Sequence, residues 1–191
     1  MLPALPKRGS LRSWGRPLCG LFVVGTALIA IWVTAGIFLF VSLRADRPRH
    51  ADVLFVLGPP NDRIAHAEQL MRQGDAGTLA VSSPVDPAGQ FTAPICKSAA
   101  AYPVICFHPE PFTTQGEART LQALSQQYGW TSANVLTAQF HVTRAKVIVD
   151  RCYTGNLRML DYNPHLTLAA WAYQYMYQSA AFVKVALHPE C

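Results

Sequence analysis

The first feature along the chain is a block without polar punctuation. Leu18 to Leu43 (LCGLFVVGTALIAIWVTAGIFLFVSL) carries no charged residue. At about 1.5 Å per helical residue it reaches about 39 Å, more than the hydrocarbon core of a bilayer. The pattern then changes. Asp52 to Leu57 (DVLFVL) is a short continuous apolar run that ends at Gly58, as expected of a strand buried on both faces. Asp62 to Gln73 has helical periodicity, with Ile64, Ala67, Leu70 and Met71 on one face and Gly74 as its stop. Thr78 to Ser82 reads as a second strand and Pro103 to Phe107 as a third, separated by a loop rich in Pro and Gly. Thr114 to Tyr128 reads as a helix with Ala118, Leu121, Leu124 and Tyr128 along one stripe, and Thr113 or Thr114 as its N-cap. Asn134 to Thr137 predicts a fourth strand, Phe140 to Arg151 a third helix of the domain, and Leu157 to Tyr162 a fifth strand. His165 to about Leu187 predicts a long helix that breaks late. Its aromatics Trp171, Tyr173, Tyr175 and Tyr177 are expected to cover the sheet.

Strands and helices alternate, so the expected fold is an α/β, Rossmann-like three-layer sandwich with a mainly parallel sheet. One transmembrane helix precedes it. The division that follows is a cytoplasmic basic N-terminus over 1–17, a span over 18–43, a linker over 44–51 and the domain over 52–191.

Charge sharpens this reading. The chain has 191 residues and a formal net charge of +5. Lys7, Arg8, Arg12 and Arg16 precede the apolar run, and Arg44, Arg47 and Arg49 follow it. The excess therefore lies where lipid head groups would meet it, which argues against nucleic acid as a partner and for the lipid bilayer. A cleaved signal peptide would have an apolar region of about 7–15 residues and a small-residue cleavage site. This run is longer and is followed by Leu43 and Arg44, so an uncleaved anchor is expected. The larger positive charge on the N-terminal side places the domain outside the cytoplasm, in a single-pass protein of the plasma membrane.

The cysteines agree with that side. Cys19 lies in the apolar run, and the domain holds Cys96, Cys106, Cys152 and Cys191. No Cys or His spacing points to a metal site. Of the three possible pairings, Cys96 with Cys106 closes a short loop and a strand. That leaves Cys152 with Cys191, a bond that would tie down the terminus.

Ligands of parallel sheets bind at the carboxyl ends of the strands. After the first strand come Gly58, Pro59, Pro60, Asn61 and Arg63; after the second, Ser82 and Ser83. After the third comes HPEPFTTQGE, with Glu110, Thr114 and Glu117, and after the fourth TAQFHVTR, with Thr137, His141 and Arg144. Each of these residues also has a purely structural reading, as turn former, cap or solvated charge. Together they make an anion site with Arg63 and Arg144 as clamp, Glu117 or Glu110 as the salt-bridge partner between the two arginines, His141 as general acid/base and Glu117 as its partner or a second base. No glycine-rich dinucleotide loop, phosphate-loop lysine or GxSxG elbow occurs, and no cofactor is indicated.

The order DVLFVLG, Arg63 at a helix start, TLAVSS, PEPFTTQGEA and NVLTAQFHVTRA resembles the bacterial domain of unknown function found in YdcF, SanA and ElyC. The resemblance covers about residues 52 to 152. Its most specific element is T-x-x-[aromatic]-H-x-x-R-A over Thr137 to Ala145, followed by Thr-x-x-Glu-Ala over Thr114 to Ala118. An anchor combined with domain cysteines resembles actinobacterial members. The resemblance implies a Rossmann-like fold, a role in the cell envelope, and a polar pocket of Arg63, Glu110, Thr114, Glu117, Thr137, His141 and Arg144. The glycine-rich turns common in the family are Gly58-Pro-Pro and Ser82-Ser-Pro here, and Thr113 stands where asparagine is common. The prolines of the first turn remove two N–H donors.

Three functions fit. One is an envelope enzyme acting on an anionic, phosphorylated or lipid-linked cell-wall precursor. The second is a non-catalytic assembly or interaction factor using the same edge. The third, prompted by fold alone, is binding of a nucleotide-like cofactor such as S-adenosylmethionine.

Overall fold

A computed structural model of the chain describes residues 15–42 and 45–191. The expected N-terminal basic cluster at Lys7, Arg8 and Arg12 lies outside the described residues, as does Arg44. Helix α1 (Gly15–Gly36) continues as a π-helical segment, Ile37–Ser42. Within it Cys19–Val41 is long and apolar enough to cross a membrane, with a mean hydropathy of 2.3. Most of its side chains touch nothing in the domain: Leu21, Phe22, Leu28, Ile29 and Ile31 are exposed.

The domain is α/β. Strands β1 (Ala51–Val56), β2 (Ala76–Ser82), β3 (Val104–Phe107), β4 (Ser132–Ala138) and β5 (Asn156–Tyr162) form one sheet in the order β3-β2-β1-β4-β5. All four pairings are parallel. Strand β1 is central because both of its faces are apolar. Val53 and Phe55, with Leu57 just beyond, meet Ala118 and Leu121 of α3 (Thr114–Tyr128) and Ala145 and Val149 of α4 (Val142–Cys152). Leu54 and Val56 meet Ala67, Leu70 and Met71 of α2 (Ile64–Gln73) on the other face. Full burial of each such side chain stabilises the fold by about 1.5–3 kcal/mol. Helix α2 ends where Gly74 takes a left-handed φ of 79° and returns its N–H to the last turn. Helix α3 begins where the Thr113 hydroxyl accepts the Gly116 N–H.

The linker is part of the structure. Asp46 N–H donates to the Met159 carbonyl at 2.8 Å, and Met159 N–H donates to the Asp46 carboxylate at 2.9 Å. Asp46 thus lies against β5, an edge strand, at Met159. At the amino ends of the strands, one Asp52 oxygen accepts from the N–H and hydroxyl of both Thr131 and Ser132. These bonds hold its carboxyl below the ordinary carboxylate range. Disulfides join Cys96 to Cys106 and Cys152 to Cys191. The second ties the segment after α5 (Leu168–Leu187) to the end of α4.

Three expectations need correction. Helix α5 is continuous to Leu187 and does not break late. Its aromatics do not cover the sheet: α5 packs outside α4, Tyr173 and Tyr177 are exposed, and Tyr175 meets α1. The sheet face is already filled by α3 and α4, which leaves α5 a second shell. Tyr128 is half exposed and stacks on Trp130 instead of entering the core; it is the last residue of α3, and Leu124, one turn earlier, is only partly buried against the core.

Candidate functional site

The carboxyl ends of β1 and β4 and the starts of α3 and α4 line a half-open cavity of about 720 Å³, with α5 as its outer wall. Its floor is the turn after β1. Gly58 N–H donates to Glu117 Oε1 at 2.6 Å. A Cβ at Gly58 would lie 3.1 Å from the Ser82 hydroxyl and from Phe112, and 3.3 Å from that same carboxylate oxygen. Glycine is therefore what lets the backbone approach Glu117.

Glu117 sits in the first turn of α3, almost fully buried. Burial pushes its carboxyl up to about 7, against the opposing pull of the Gly58 N–H, the Ser82 hydroxyl, Arg63 and Arg144. The Ser82 hydroxyl acts through proximity alone, since it is buried and closes no hydrogen bond of its own.

Arg63 ends the 3-10 turn Asn61–Arg63 and is buried. One guanidinium nitrogen donates to the Leu57 carbonyl at 3.0 Å, while its Nε has no partner among the described residues. Arg144, in the first turn of α4, donates Nε–H to Gln178 Oε1 of α5 at 2.8 Å. Desolvation lowers both guanidinium pKa values, yet an arginine keeps its charge in any protein setting. Among the described residues neither forms an ion pair. Glu117 therefore lies within electrostatic reach of both arginines without pairing to either, contrary to the bridging role expected of it.

His141 closes the 3-10 turn before α4 and is buried. Its Nδ1 lies 2.9 Å from the Thr137 hydroxyl and its Nε2 3.5 Å from the Thr114 hydroxyl. Burial, then Arg144 and Arg63, hold its pKa well below 6.5, so the ring is neutral. No hydrogen bond joins it to Glu117 among the described residues, so the acid/base pair expected of these two is not assembled. Glu117 spends its contact on Gly58, and threonines orient the histidine instead.

Of the expected site residues, Arg63, Thr114, Glu117, His141 and Arg144 line one cavity, and Thr137 supports His141 from behind. Glu110 is not among them. It is exposed on the loop after β3, 3.8 Å from His108, where water solvates its carboxylate. Ser83 is structural: its hydroxyl accepts the Ala93 N–H and holds the following loop. Helix α5 contributes a wall that sequence reasoning missed, with Tyr177, Gln178 and Lys184. Gln174 and Gln178, four apart in an otherwise apolar helix, were the available signal. No group of three or more His, Cys, Asp or Glu side chains suited to a metal occurs among the described residues.

Compared with known proteins, the chain matches no family model, no curated protein and no solved structure.

Proposed function

We propose that this is a membrane-anchored cell-envelope protein of the YdcF, SanA and ElyC type whose pocket binds an anionic, phosphorylated cell-wall precursor. The observation that carries the reading is the pair of Arg63, buried, and Arg144, half-buried, which share a cavity with no carboxylate at ion-pair distance. A buried charge without a partner is costly, and an anion between two guanidinium groups would relieve both. The first turn of α3 adds polarity of the same sign, since Thr114 and Gln115 line the cavity and the leading N–H groups of a helix lack partners within it. Cys19–Val41 supplies the anchor, and two disulfides favour an extracytoplasmic domain.

Binding is better supported than catalysis by His141, whose depressed pKa makes it a weak base. One observation favours a catalytic reading: the Glu117 carboxyl near 7 is matched to proton transfer at neutral pH. The test is thermal unfolding of the full-length chain in detergent with chloride, inorganic phosphate or pyrophosphate at equal ionic strength. Pyrophosphate should raise Tm by several degrees. Arg144→Gln should lose the shift with the anion. A shift unchanged in Arg144→Gln, or no shift with any anion, would sink the proposal.

A further inference from the structure

Helix α5 has three lengthwise faces. Gln178 and Val185 point to α4 and the cavity. A second face, Tyr175, Ser179 and Phe182, packs on the apolar N-terminal helix. Tyr175 OH donates to the carbonyls of Trp32 and Val33, and Trp32 Nε1–H donates to the Ser179 hydroxyl at 3.2 Å. The Tyr175 and Phe182 rings lie 5.4 and 5.8 Å from that of Phe40. Gly36 makes this approach possible, because a Cβ there would fall inside the Tyr175 ring. The end of the same helix is held to the domain a second time. The Thr143 hydroxyl donates to the Leu39 carbonyl, and Gln139 donates to the Val41 carbonyl at 3.0 Å.

The third face is apolar and uncovered. Ala169, Tyr173, Met176, Ala180, Val183 and Leu187 follow one another at spacings of three and four, and all are exposed, Met176 and Val183 at 61% and Leu187 at 72%. This stripe lies between the face on α1 and the cavity rim, where Tyr177 and Lys184 stand.

We propose that α5 is an interfacial helix, with this stripe seated in the head-group and upper acyl layer of the leaflet from which α1 emerges. Cys19–Val41 is about 35 Å long at about 1.5 Å per residue, against a hydrocarbon core of about 30 Å. Trp32 lies about 14 Å from its domain-side end by the same rise. A helix bonded to Trp32 and stacked on Phe40 therefore reaches from the level where the span leaves the bilayer to about 10 Å within the acyl layer. What surrounds the span at that level is lipid, and the stripe continues the lipid-facing surface of α1 around α5. The composition suits the place: Trp and Tyr gather at membrane interfaces, and Lys184 can extend its ammonium to the head groups beside the stripe. The Lys184 end of the cavity rim then opens toward the head groups. The inference uses only α1 and α5, so it stands or falls separately from anion binding in the pocket.

The test uses the full-length chain in nanodiscs of phosphatidylethanolamine and phosphatidylglycerol. In a Cys19→Ser background, spin labels are placed by Met176→Cys, by Val183→Cys and, as a control on α3, by Tyr128→Cys. The first two should collide more with oxygen than with a water-soluble nickel chelate, and the control the reverse. Nickel contact at the first two equal to that of the control would overturn the proposal. So would spin–spin broadening with shielding from both reagents, which would put a second copy on the stripe. Hydroxyl-radical footprinting of the unaltered chain gives a check independent of new cysteines. Met176 should be oxidised less than Tyr128 although it is the more exposed and more reactive side chain; heavier oxidation of Met176 would overturn the proposal equally.

Discussion

Replacing Glu117 by glutamine separates the electrostatic role of this residue from its packing. The glutamine oxygen can still accept the Gly58 N–H, so the change removes a titration and little else. In the fold the carboxyl is raised from an ordinary 4.5 to about 7. Below about 4.5 both folded and unfolded chains hold the proton, and its contribution is complete. As pH rises toward about 7 the unfolded chain has released the proton and the folded chain has not, so stability falls. At about 1.4 kcal/mol per pH unit the whole loss is about 3 kcal/mol. His141 acts in the opposite sense. Its folded pKa lies well below 6.5, so its contribution is present above 6.5 and is lost as pH falls toward the folded value. Below about 6.5 the two slopes oppose each other, and the decline of the wild type is uncompensated only between about 6.5 and about 7. Glu117→Gln keeps the histidine slope alone and should gain stability up to about 6.5. Relative to wild type, the variant should gain about 3 kcal/mol between pH 5 and pH 8. Urea unfolding of the full-length chain in detergent at three pH values resolves a difference of that size. Parallel pH profiles for the two proteins would refute the reasoning.

Other outcomes follow from the same geometry. Cys152→Ser should cost about 2–5 kcal/mol, read as a fall in the urea midpoint under non-reducing conditions, since it frees the segment after α5. His141→Ala should cost about 1–3 kcal/mol, because it strands the buried Thr137 hydroxyl; a melting curve equal to wild type would show that the pair contributes nothing. Gln178→Leu leaves Arg144 Nε without its acceptor and should lower Tm in the absence of anion, with added pyrophosphate recovering part of the loss. A reporter active only outside the cytoplasm, fused after Cys191, should be active; activity of a cytoplasmic reporter there would reverse the orientation.

The order of the domain's elements was legible along the chain because each carries its own periodicity. Strand β1 is apolar at every position from Val53 to Leu57, a pattern that only a strand covered on both sides can use. Helix α2 shows one apolar face and stops at Gly74, and α3 begins at a threonine cap; these are local events that need no distant partner. The rule that ligands gather at strand ends then drew attention to Arg63, Glu117, His141 and Arg144. Local pattern could not rank neighbours on one loop. Glu110 and Glu117 both follow β3, and only the docking of α3 against the turn at Gly58 buries one and leaves the other in water. Nor could it decide which surface an apolar helix covers. Apolar residues lie on the outward stripe of α5 as well as on its inward faces, so its period marks a helix without saying what it packs on. Contacts such as Arg144 with Gln178, or Tyr175 with Trp32, join residues 34 and 143 positions apart. They exist because α3 and α4 fill that face of the sheet, and a helix outside a filled layer packs on the apolar surface that remains.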